Sequence, residues 1–292
     1  MIFLLTSRSK TETNDIDALT ASEAVEAIEQ QETFIKENFE NSTEMDYVRE
    51  QYFEQLQSRV NLLKKARKDY VTGWFTRKDY QNGFAKLYNG IVPEVFCPNL
   101  VRIGNVNDGG KWVCNPKALP DKCAIMSLGV NVDATFEREI QKISNQRCRI
   151  NSYDPMDPGS AIAGLESLNV HFRQVAIGAE DNLEHRQVSV LTEMQRLSIA
   201  KLEMLKIDIE LNEFSVMPGL VEKTEFCQIF IEIHGNPEET IDLIVLLAKK
   251  GYRMFSYEIN GYHHTLSEYS FIHDNCLKQY GAVPVVNYWH LV

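Results

Sequence analysis

Hydrophobic residues follow two different periods along the chain, and the change falls near residue 100. Residues 12–90 are rich in Glu, Gln, Lys and Ala, and apolar side chains recur there every three or four positions, the spacing of one face of a helix. The stripe consists of Val48, Tyr52, Leu56, Val60, Leu63 and Ala66. It predicts a long helix that either packs on the main domain or self-associates as a short coiled coil.

From residue 123 onward, short apolar runs alternate with helical stretches. The predicted strands are residues 123–129, 148–154, 170–178, 202–208, 226–234, 252–259 and 284–292. The predicted helices are 133–144, 161–168, 191–200, 213–222 and 237–250. This alternation predicts a parallel sheet with helices on both faces. The turn-rich segment 260–281 is predicted to be a loop, followed by an antiparallel last strand.

The organisation of the chain follows from this change of pattern. Residues 89–99 contain the proline and glycine residues that are typical of a linker. We therefore expect an N-terminal helical segment, residues 1–94, followed by an α/β domain, residues 95–292. A length of 292 residues suits one large domain with an appendage.

Charge and hydropathy argue against a nucleic-acid partner and against a membrane-spanning segment. The chain has 41 acidic and 30 basic residues, a net charge of −11, so we expect no nucleic-acid partner, because phosphate binding depends on Lys and Arg. The longest apolar runs, residues 1–5 and 243–248, are far shorter than the roughly 20 residues needed to span a bilayer. We expect no transmembrane span in this chain, although residues 1–5 suit the remnant of a longer apolar anchor.

The cysteines bear on the cellular compartment. None of the six has the C-x-x-C spacing of zinc or thioredoxin-like sites. Cys97, Cys114, Cys123 and Cys148 are either buried thiols or one or two disulfides formed in a secretory compartment. Residues 41–43, Asn-Ser-Thr, form a glycosylation sequon. We expect a glycoprotein of the Golgi or of the extracellular space if an anchor or signal belongs to the protein, and a cytoplasmic protein otherwise.

Ligands of parallel sheets bind at the carboxyl ends of the strands. Ser127, Gly129 and Asn131 follow the first strand, where a glycine lets the backbone approach a ligand. The G-x-G-x-x-G spacing is absent, and Asp133 at the start of the next helix would repel a phosphate. A dinucleotide is therefore disfavoured, whereas a ligand with adenosine and no phosphate, such as S-adenosylmethionine, is compatible.

The next two strand ends supply further candidates for a nucleoside site. Asp154 ends the second strand, at a spacing from Gly129 close to the roughly 20 residues expected for an acid that binds ribose hydroxyls. Ile177 and Asp181 follow the third strand. An apolar side chain there can flank an adenine, and a polar one can meet its amino group.

Carboxylates cluster after the fourth strand. Asp208, Glu210 and Glu213 lie within six residues, and like charges so close are costly unless a cation, a proton-transfer role or solvent takes them up. The first turn of a helix accounts for Glu213. It does not account for Asp208, which ends an apolar strand.

The segment around these carboxylates, Leu-Lys-Ile-Asp-Ile-Glu-Leu-Asn-Glu at 205–213, resembles the signature of FkbM-type S-adenosylmethionine methyltransferases. Other matching segments, in order, are Arg102-Ile103-Gly104, Asn107-Asp108-Gly109-Gly110-Lys111-Trp112-Val113-Cys114, Ser127-Leu128-Gly129, Phe136-Glu137, Tyr153-Asp154-Pro155 and Ile231-Glu232-Ile233-His234. Together they resemble animal methyltransferase-like proteins with a short Asp-Gly-Gly segment before the core, over roughly residues 95–292. The resemblance implies a Rossmann-like seven-stranded methyltransferase fold with an antiparallel last strand, S-adenosylmethionine as cofactor and, in many relatives, life in the secretory pathway.

The resemblance also implies a reaction, methylation of a hydroxyl oxygen on a small-molecule, glycan or lipid acceptor. Asp208 and His234 end neighbouring predicted strands and are the candidate proton acceptors, since the ordinary pKa of histidine suits proton transfer near neutral pH. Glu210 is a candidate for orienting a substrate hydroxyl or a loop amide. His263 and His264 are candidates for lining the acceptor pocket.

Two departures from the family pattern leave alternatives open. Leu211 stands where the signature usually has glycine, and Gly129 is the single glycine of the first loop. A side chain at Leu211 is expected to crowd the site, so an inactive, methyltransferase-like binding protein is one alternative. The other is a metal-dependent glycosyltransferase, because Asp208 and Glu210 loosely match the acidic pair that holds a divalent metal there. The methyltransferase interpretation needs no metal.

Overall fold

The structure, a computed structural model, describes residues 45–68, 77–106 and 108–292. In chain order its helices and strands are α1 (Asp46–Lys68), α2 (Arg77–Gly90), β1 (Val95–Phe96), β2 (Leu100–Ile103), β3 (Lys111–Cys114), β4 (Ala124–Leu128), α3 (Thr135–Ser144), β5 (Arg149–Asp154), β6 (Val170–Gln174), β7 (Ala176–Ile177), β8 (Gln187–Val188), α4 (Val190–Arg196), β9 (Leu202–Ile207), α5 (Glu213–Lys223), β10 (Phe226–Ile233), α6 (Pro237–Lys249), β11 (Tyr252–Ile259), β12 (Ser267–His273), α7 (Leu277–Tyr280) and β13 (Val283–Pro284).

Seven strands form the central sheet, in the order β11-β12-β10-β9-β4-β5-β6. Strands β4, β5, β6, β9 and β10 pair in parallel, whereas β12 runs antiparallel to both of its neighbours, β10 and β11. The predicted fold class is confirmed: an α/β fold on a seven-stranded sheet, with the last strand inserted antiparallel beside its predecessor and with helices preceding it.

The antiparallel strand lies in a different segment from the one predicted. It is β12, inside residues 260–281, and the prediction of a loop there is wrong. The predicted strand at 284–292 is also wrong, because only Val283–Pro284 is extended, paired with β1, and a 3-10 turn forms at Trp289–Leu291. The hydrophobic pattern did not predict this strand, because several of its buried positions are polar: Ser267, Glu268 and Ser270.

The third predicted strand is shorter than expected. Residues 170–178 contribute Val170–Gln174 to the central sheet, and the strand is then interrupted. Ala176–Ile177 instead pairs with Gln187–Val188 in a separate two-stranded sheet. This second pairing turns the chain at the rim of the central sheet, close to the site described below.

Helix α1 packs on the α/β domain. Its stripe residues Leu56, Val60, Leu63 and Ala66 are buried in one hydrophobic cluster with residues of the sheet and of α6. The predicted helical pattern from residue 12 to residue 44 lies outside the described residues. Within the described part of the chain, no helix is both long enough and apolar enough to cross a bilayer.

All six cysteines form disulfides: Cys97–Cys114, Cys123–Cys148 and Cys227–Cys276. The first closes the β2–β3 hairpin, the second joins the starts of β4 and β5, and the third joins β10 to the segment after β12. The four cysteines between residues 97 and 148 thus form two disulfides, which agrees with the alternative of one or two disulfides, and their interpretation as buried thiols is wrong. The sequon at 41–43 lies outside the described residues.

Candidate active site

A cavity of about 510 Å³ opens at the carboxyl ends of β4, β5, β9 and β10. Parallel strands end at the same edge of a sheet, so side chains distant in sequence meet there. Most of the predicted site residues line it: Gly129, Asn131, Asp154, Ile177, Asp208, Glu210 and His234, together with His263 of the predicted acceptor pocket. Asp108 and Glu232 line it as well, although the sequence analysis gave neither of them a role.

Ser127 and Asp181, two predicted cofactor-binding residues, do not line this cavity. Ser127 is fully buried, and its hydroxyl donates a hydrogen bond to Glu137 inside the domain. Asp181 accepts hydrogen bonds from the Ser189 backbone N–H at 2.7 Å and the Thr192 hydroxyl at 2.9 Å, which lower the pKa of its carboxyl. Both contacts are internal to the protein, and the structure does not bring these two residues to the other candidates.

Gly129 is required by a close backbone contact. A Cβ atom at this position would lie 1.7 Å from the carbonyl oxygen of Asp208, and the residue has a φ of +80°. Lys206 donates from Nζ to the carbonyl of Gly129 at 2.8 Å. Whereas we expected this glycine to admit a ligand, the structure shows that it lets the loop after β4 pass against the loop after β9.

Asp154 connects the loops after β4 and β5. Its Oδ2 accepts the Asn131 backbone N–H at 2.7 Å, and its Oδ1 accepts the Met156 backbone N–H at 2.8 Å. A carboxylate oxygen has two acceptor positions, so each oxygen retains one. Because Asp154 also lines the cavity, a ligand that donates two hydrogen bonds finds a carboxylate held in a fixed orientation.

His234 lies among three carboxylates. Its Nδ1 is 3.1 Å from Glu213 Oε1, and its Nε2 is 3.4 Å from Glu210 Oε2 and 3.8 Å from Asp208 Oδ1. Burial lowers the pKa of His234, but the hydrogen bond that its Nδ1–H donates to Glu213 and the surrounding carboxylate charges outweigh burial and raise the pKa to about 9. A raised pKa favours the cationic imidazole at neutral pH, which makes Asp208 the better candidate for the proton acceptor.

Leu211 does not crowd the site. It has a φ of +75° and follows Glu210 at +53°, so two successive residues adopt the left-handed conformation that glycine tolerates best. Its side chain is 64% exposed, and it is not among the residues lining the cavity. The glycine of the family signature is thus explained by backbone conformation, and the expected obstruction is absent.

Two glutamates lie at the side of the cavity formed by β10 and β12. Glu232 accepts a hydrogen bond from Asn260 Nδ2 at 3.2 Å, and burial followed by the charges of Glu268 and Asp208 raises the pKa of Glu232 to about 8. Glu268 forms a buried ion pair with Lys111. Sequence patterns missed Glu268 because the segment that carries it was predicted to be a loop.

The chain matches a known protein family and has distant similarity to solved structures. Residues 36–273 match the family described as "Methyltransferase domain". Among solved structures, a putative rRNA-methylase from Clostridium thermocellum is 8% identical, with a TM-score of 0.37, over 54% of this chain and 90% of that chain. A SAM dependent methyltransferase from Aquifex aeolicus is 11% identical, with a TM-score of 0.32, over 53% and 86%. No curated protein matches the chain.

Proposed function

The chain belongs to the methyltransferase-domain family, and from this premise we propose that it transfers a methyl group from S-adenosylmethionine to a hydroxyl oxygen in the cavity described above. The observation that carries the proposal is Asp154, a carboxylate with open acceptor positions at the end of the second parallel strand. Family membership favours this reaction over glycosyl transfer. The position of Leu211 outside the cavity removes the reason for assuming an inactive relative.

The cavity residues fit the nucleoside half of the cofactor. The two open acceptor positions of Asp154 match the two hydroxyls of a ribose. Met156 and Ile177, which line the same part of the cavity, offer apolar surface for the adenine. Among the described residues that line the cavity there is no Lys or Arg, so it suits an adenosine without phosphates.

Asp208 is the proton acceptor in this proposal. S-adenosylmethionine, when bound, supplies a methyl group on a sulfonium, and transfer in line with the carbon–sulfur bond requires the acceptor hydroxyl to lose its proton. The Asp208 carboxylate lines the cavity at the end of β9 and has a partly exposed side chain. His234 Nε2 lies 3.8 Å from Asp208 Oδ1, and Glu210 completes the group on the exposed side.

The compartment and the acceptor class are part of the same proposal. Three disulfides fit a protein that folds in an oxidising compartment, because cytosolic thiols are kept reduced. Together with the resemblance to FkbM-type animal proteins, they support a site of action in the secretory pathway. A glycan, a lipid headgroup or a small molecule with a free hydroxyl is the acceptor that this location favours.

Isothermal titration calorimetry with S-adenosylmethionine tests the proposal. We expect the wild-type chain to bind it and Asp154→Asn to bind at least about tenfold more weakly, because hydrogen bonds to a charged group contribute roughly 1.5–3 kcal/mol each. Asp181→Asn is the matched control, since it makes the same change in a neighbouring loop outside the cavity, and we expect wild-type affinity. Thermal melting of both variants confirms that they are folded.

Two results would contradict the proposal. One is a folded wild-type chain that binds neither S-adenosylmethionine nor its demethylated product. The other is equal weakening by Asp154→Asn and Asp181→Asn, which would place the cofactor away from β5.

A further inference from the structure

A row of carboxylates crosses four neighbouring strands at one level of the sheet. Glu232 on β10 pairs directly with Glu268 on β12, which pairs in turn with Glu258 on β11. Directly opposed residues of antiparallel strands project from the same face of the sheet. Asp208 extends the row to the end of β9. Ile207 pairs with Ile231, so the next residues along the two parallel strands, Asp208 and Glu232, lie at the same level.

The β2–β3 hairpin covers this row and supplies cations to part of it. The Glu258 carboxylate accepts hydrogen bonds from Arg102 Nε at 2.9 Å and from the Trp112 indole N–H at 2.7 Å. Glu268 is paired with Lys111, whose side chain is fully buried. Within the described residues, Glu232 forms no direct ion pair with a Lys or Arg, and it accepts a hydrogen bond from neutral Asn260.

The same hairpin brings a third carboxylate to Glu232 and Glu268. One oxygen each from Asp108, Glu232 and Glu268 lie within 4.8 Å of one another. Asp108 is exposed and lines the cavity, so the group opens towards solvent. Gly109, at a φ of +81°, allows the tight turn that places Asp108 above the sheet and returns the chain to Lys111.

Glu268 gives independent evidence for a missing partner. Its side chain is 6% exposed, and its Oε1 makes no hydrogen bond with a described residue. Lys111 lies against Oε2 alone, which leaves Oε1 buried without a partner. Buried polar atoms are normally satisfied, and leaving a buried carboxylate oxygen open costs free energy unless a ligand fills the position.

We propose that Asp108, Glu232 and Glu268 form a binding site for one divalent cation, Mg²⁺ or Mn²⁺. Three carboxylate oxygens are hard ligands of the type that these ions prefer. The site is distinct from the group of Asp208, Glu210 and His234, in which the imidazole already contacts both carboxylates.

The catalytic role of the ion rests on the proposed function. The binding of the ion to the three carboxylates does not depend on that function. The site adjoins Asp208 along the row and shares the cavity through Asp108 and Glu232. An ion there would bind the acceptor oxygen and favour its deprotonation as a Lewis acid. The acceptor class it selects is a hydroxyl with a second oxygen nearby, which can chelate the ion.

Electron paramagnetic resonance of added Mn²⁺ measures this site directly, because bound and free ions give different signals. We expect one Mn²⁺ per full chain in metal-free buffer. Asp108→Asn and Glu268→Gln should each weaken binding by at least about tenfold, since even changes around metal ligands cost 10- to 100-fold in affinity. Glu210→Gln is the matched control in the neighbouring group and should bind Mn²⁺ as the wild type does.

If Glu268→Gln fails to fold, Asp108→Asn still tests the site, because Asp108 is exposed and its substitution should not disturb folding. No bound Mn²⁺ at about 1 mM, the weak end of protein sites for such ions, would overturn the proposal. So would loss of binding in Glu210→Gln with retention in Asp108→Asn. Calorimetry with S-adenosylmethionine in the same metal-free buffer separates the two proposals: Mn²⁺ bound without cofactor affinity contradicts the methyltransferase proposal alone, and the reverse result contradicts the ion site alone.

Discussion

Two buried glutamates, Glu94 and Glu268, show how a structural carboxylate differs from one at a functional site. Both are almost inaccessible to solvent and lie near a cation, Arg253 for Glu94 and Lys111 for Glu268. Glu94 accepts the Met254 backbone N–H at 3.1 Å and the Tyr288 backbone N–H at 3.4 Å. Glu268 accepts none.

The difference lies in what satisfies each carboxylate. Glu94 connects the segment after α2 to β11 and to the C-terminal segment, and the protein supplies partners for both of its oxygens. Glu268 lies beside Glu232, which lines the cavity, and its Oε1 has no hydrogen-bond partner among the described residues, although Lys111 contacts Oε2. A carboxylate of the first kind contributes to folding, and one of the second kind is available to a ligand, at some cost in stability.

The largest effect is expected from Glu94→Ala. Two buried backbone N–H groups lose their acceptor and a cavity is left, so the free energy of unfolding should fall by about 2–5 kcal/mol. Urea denaturation measures it. Mn²⁺ binding by the folded fraction should be unchanged. A decrease in unfolding free energy below about 1 kcal/mol would mean that the hydrogen bonds of Glu94 do not stabilise the fold.

The pH dependence of stability separates Glu94 from the site. Burial, only partly offset by the charge of Arg253, raises the pKa of Glu94 from 4.5 to about 7. The folded state therefore holds this proton more tightly than the unfolded state, and its stabilising effect is lost as the pH rises from about 4.5 to about 7. At about 1.4 kcal/mol for each unit of pKa, the loss amounts to about 3–4 kcal/mol.

Glu94→Gln, which cannot titrate, provides the comparison for this pH effect. The unfolding free energy of wild type relative to the variant should decrease across that pH window. Parallel pH profiles of the two proteins would show that Glu94 has an ordinary pKa.

Glu232→Gln should have the opposite effect on stability from Glu94→Ala. The amide keeps the shape and the hydrogen bond with Asn260, and it removes the repulsion from Glu268 and Asp208. In metal-free buffer the melting temperature should rise, by an amount equivalent to about 1 kcal/mol. If the variant melts below wild type, Glu232 is a structural carboxylate like Glu94, and the comparison fails.

Leu211→Gly should have the smallest effect. Glycine relieves the left-handed conformation of Leu211 at some cost in chain entropy, for a net gain of about 0.5–1 kcal/mol in unfolding free energy. Because the leucine side chain is outside the cavity, affinity for S-adenosylmethionine should be unchanged in calorimetry. A clear gain in affinity would restore the idea that Leu211 obstructs the site.

The sequence was sufficient for the parallel part of the sheet and for residues at its strand ends. Asp154 ends β5 and Asp208 follows the apolar strand β9, and parallel strands bring such ends together. Glu268 was not predictable in this way. The antiparallel strand β12 starts where its neighbours end, so its contribution to the site lies at its first residues, inside a run of buried polar side chains.

Long-range pairing also decided the roles of residues whose positions were predicted correctly. Gly129 is glycine because the Asp208 carbonyl lies against it, and the pKa of His234 is raised because carboxylates surround its ring. Both facts depend on which loops meet across the sheet, and a local pattern contains no information about those neighbours.

The most direct test of the account is a crystal structure of the chain with S-adenosylhomocysteine, the demethylated cofactor. We expect the ribose hydroxyls to lie within hydrogen-bond distance of Asp154 and the sulfur to face Asp208, at the end of β9. A nucleoside bound anywhere other than the cavity at the carboxyl ends of β4 and β5 would contradict the account.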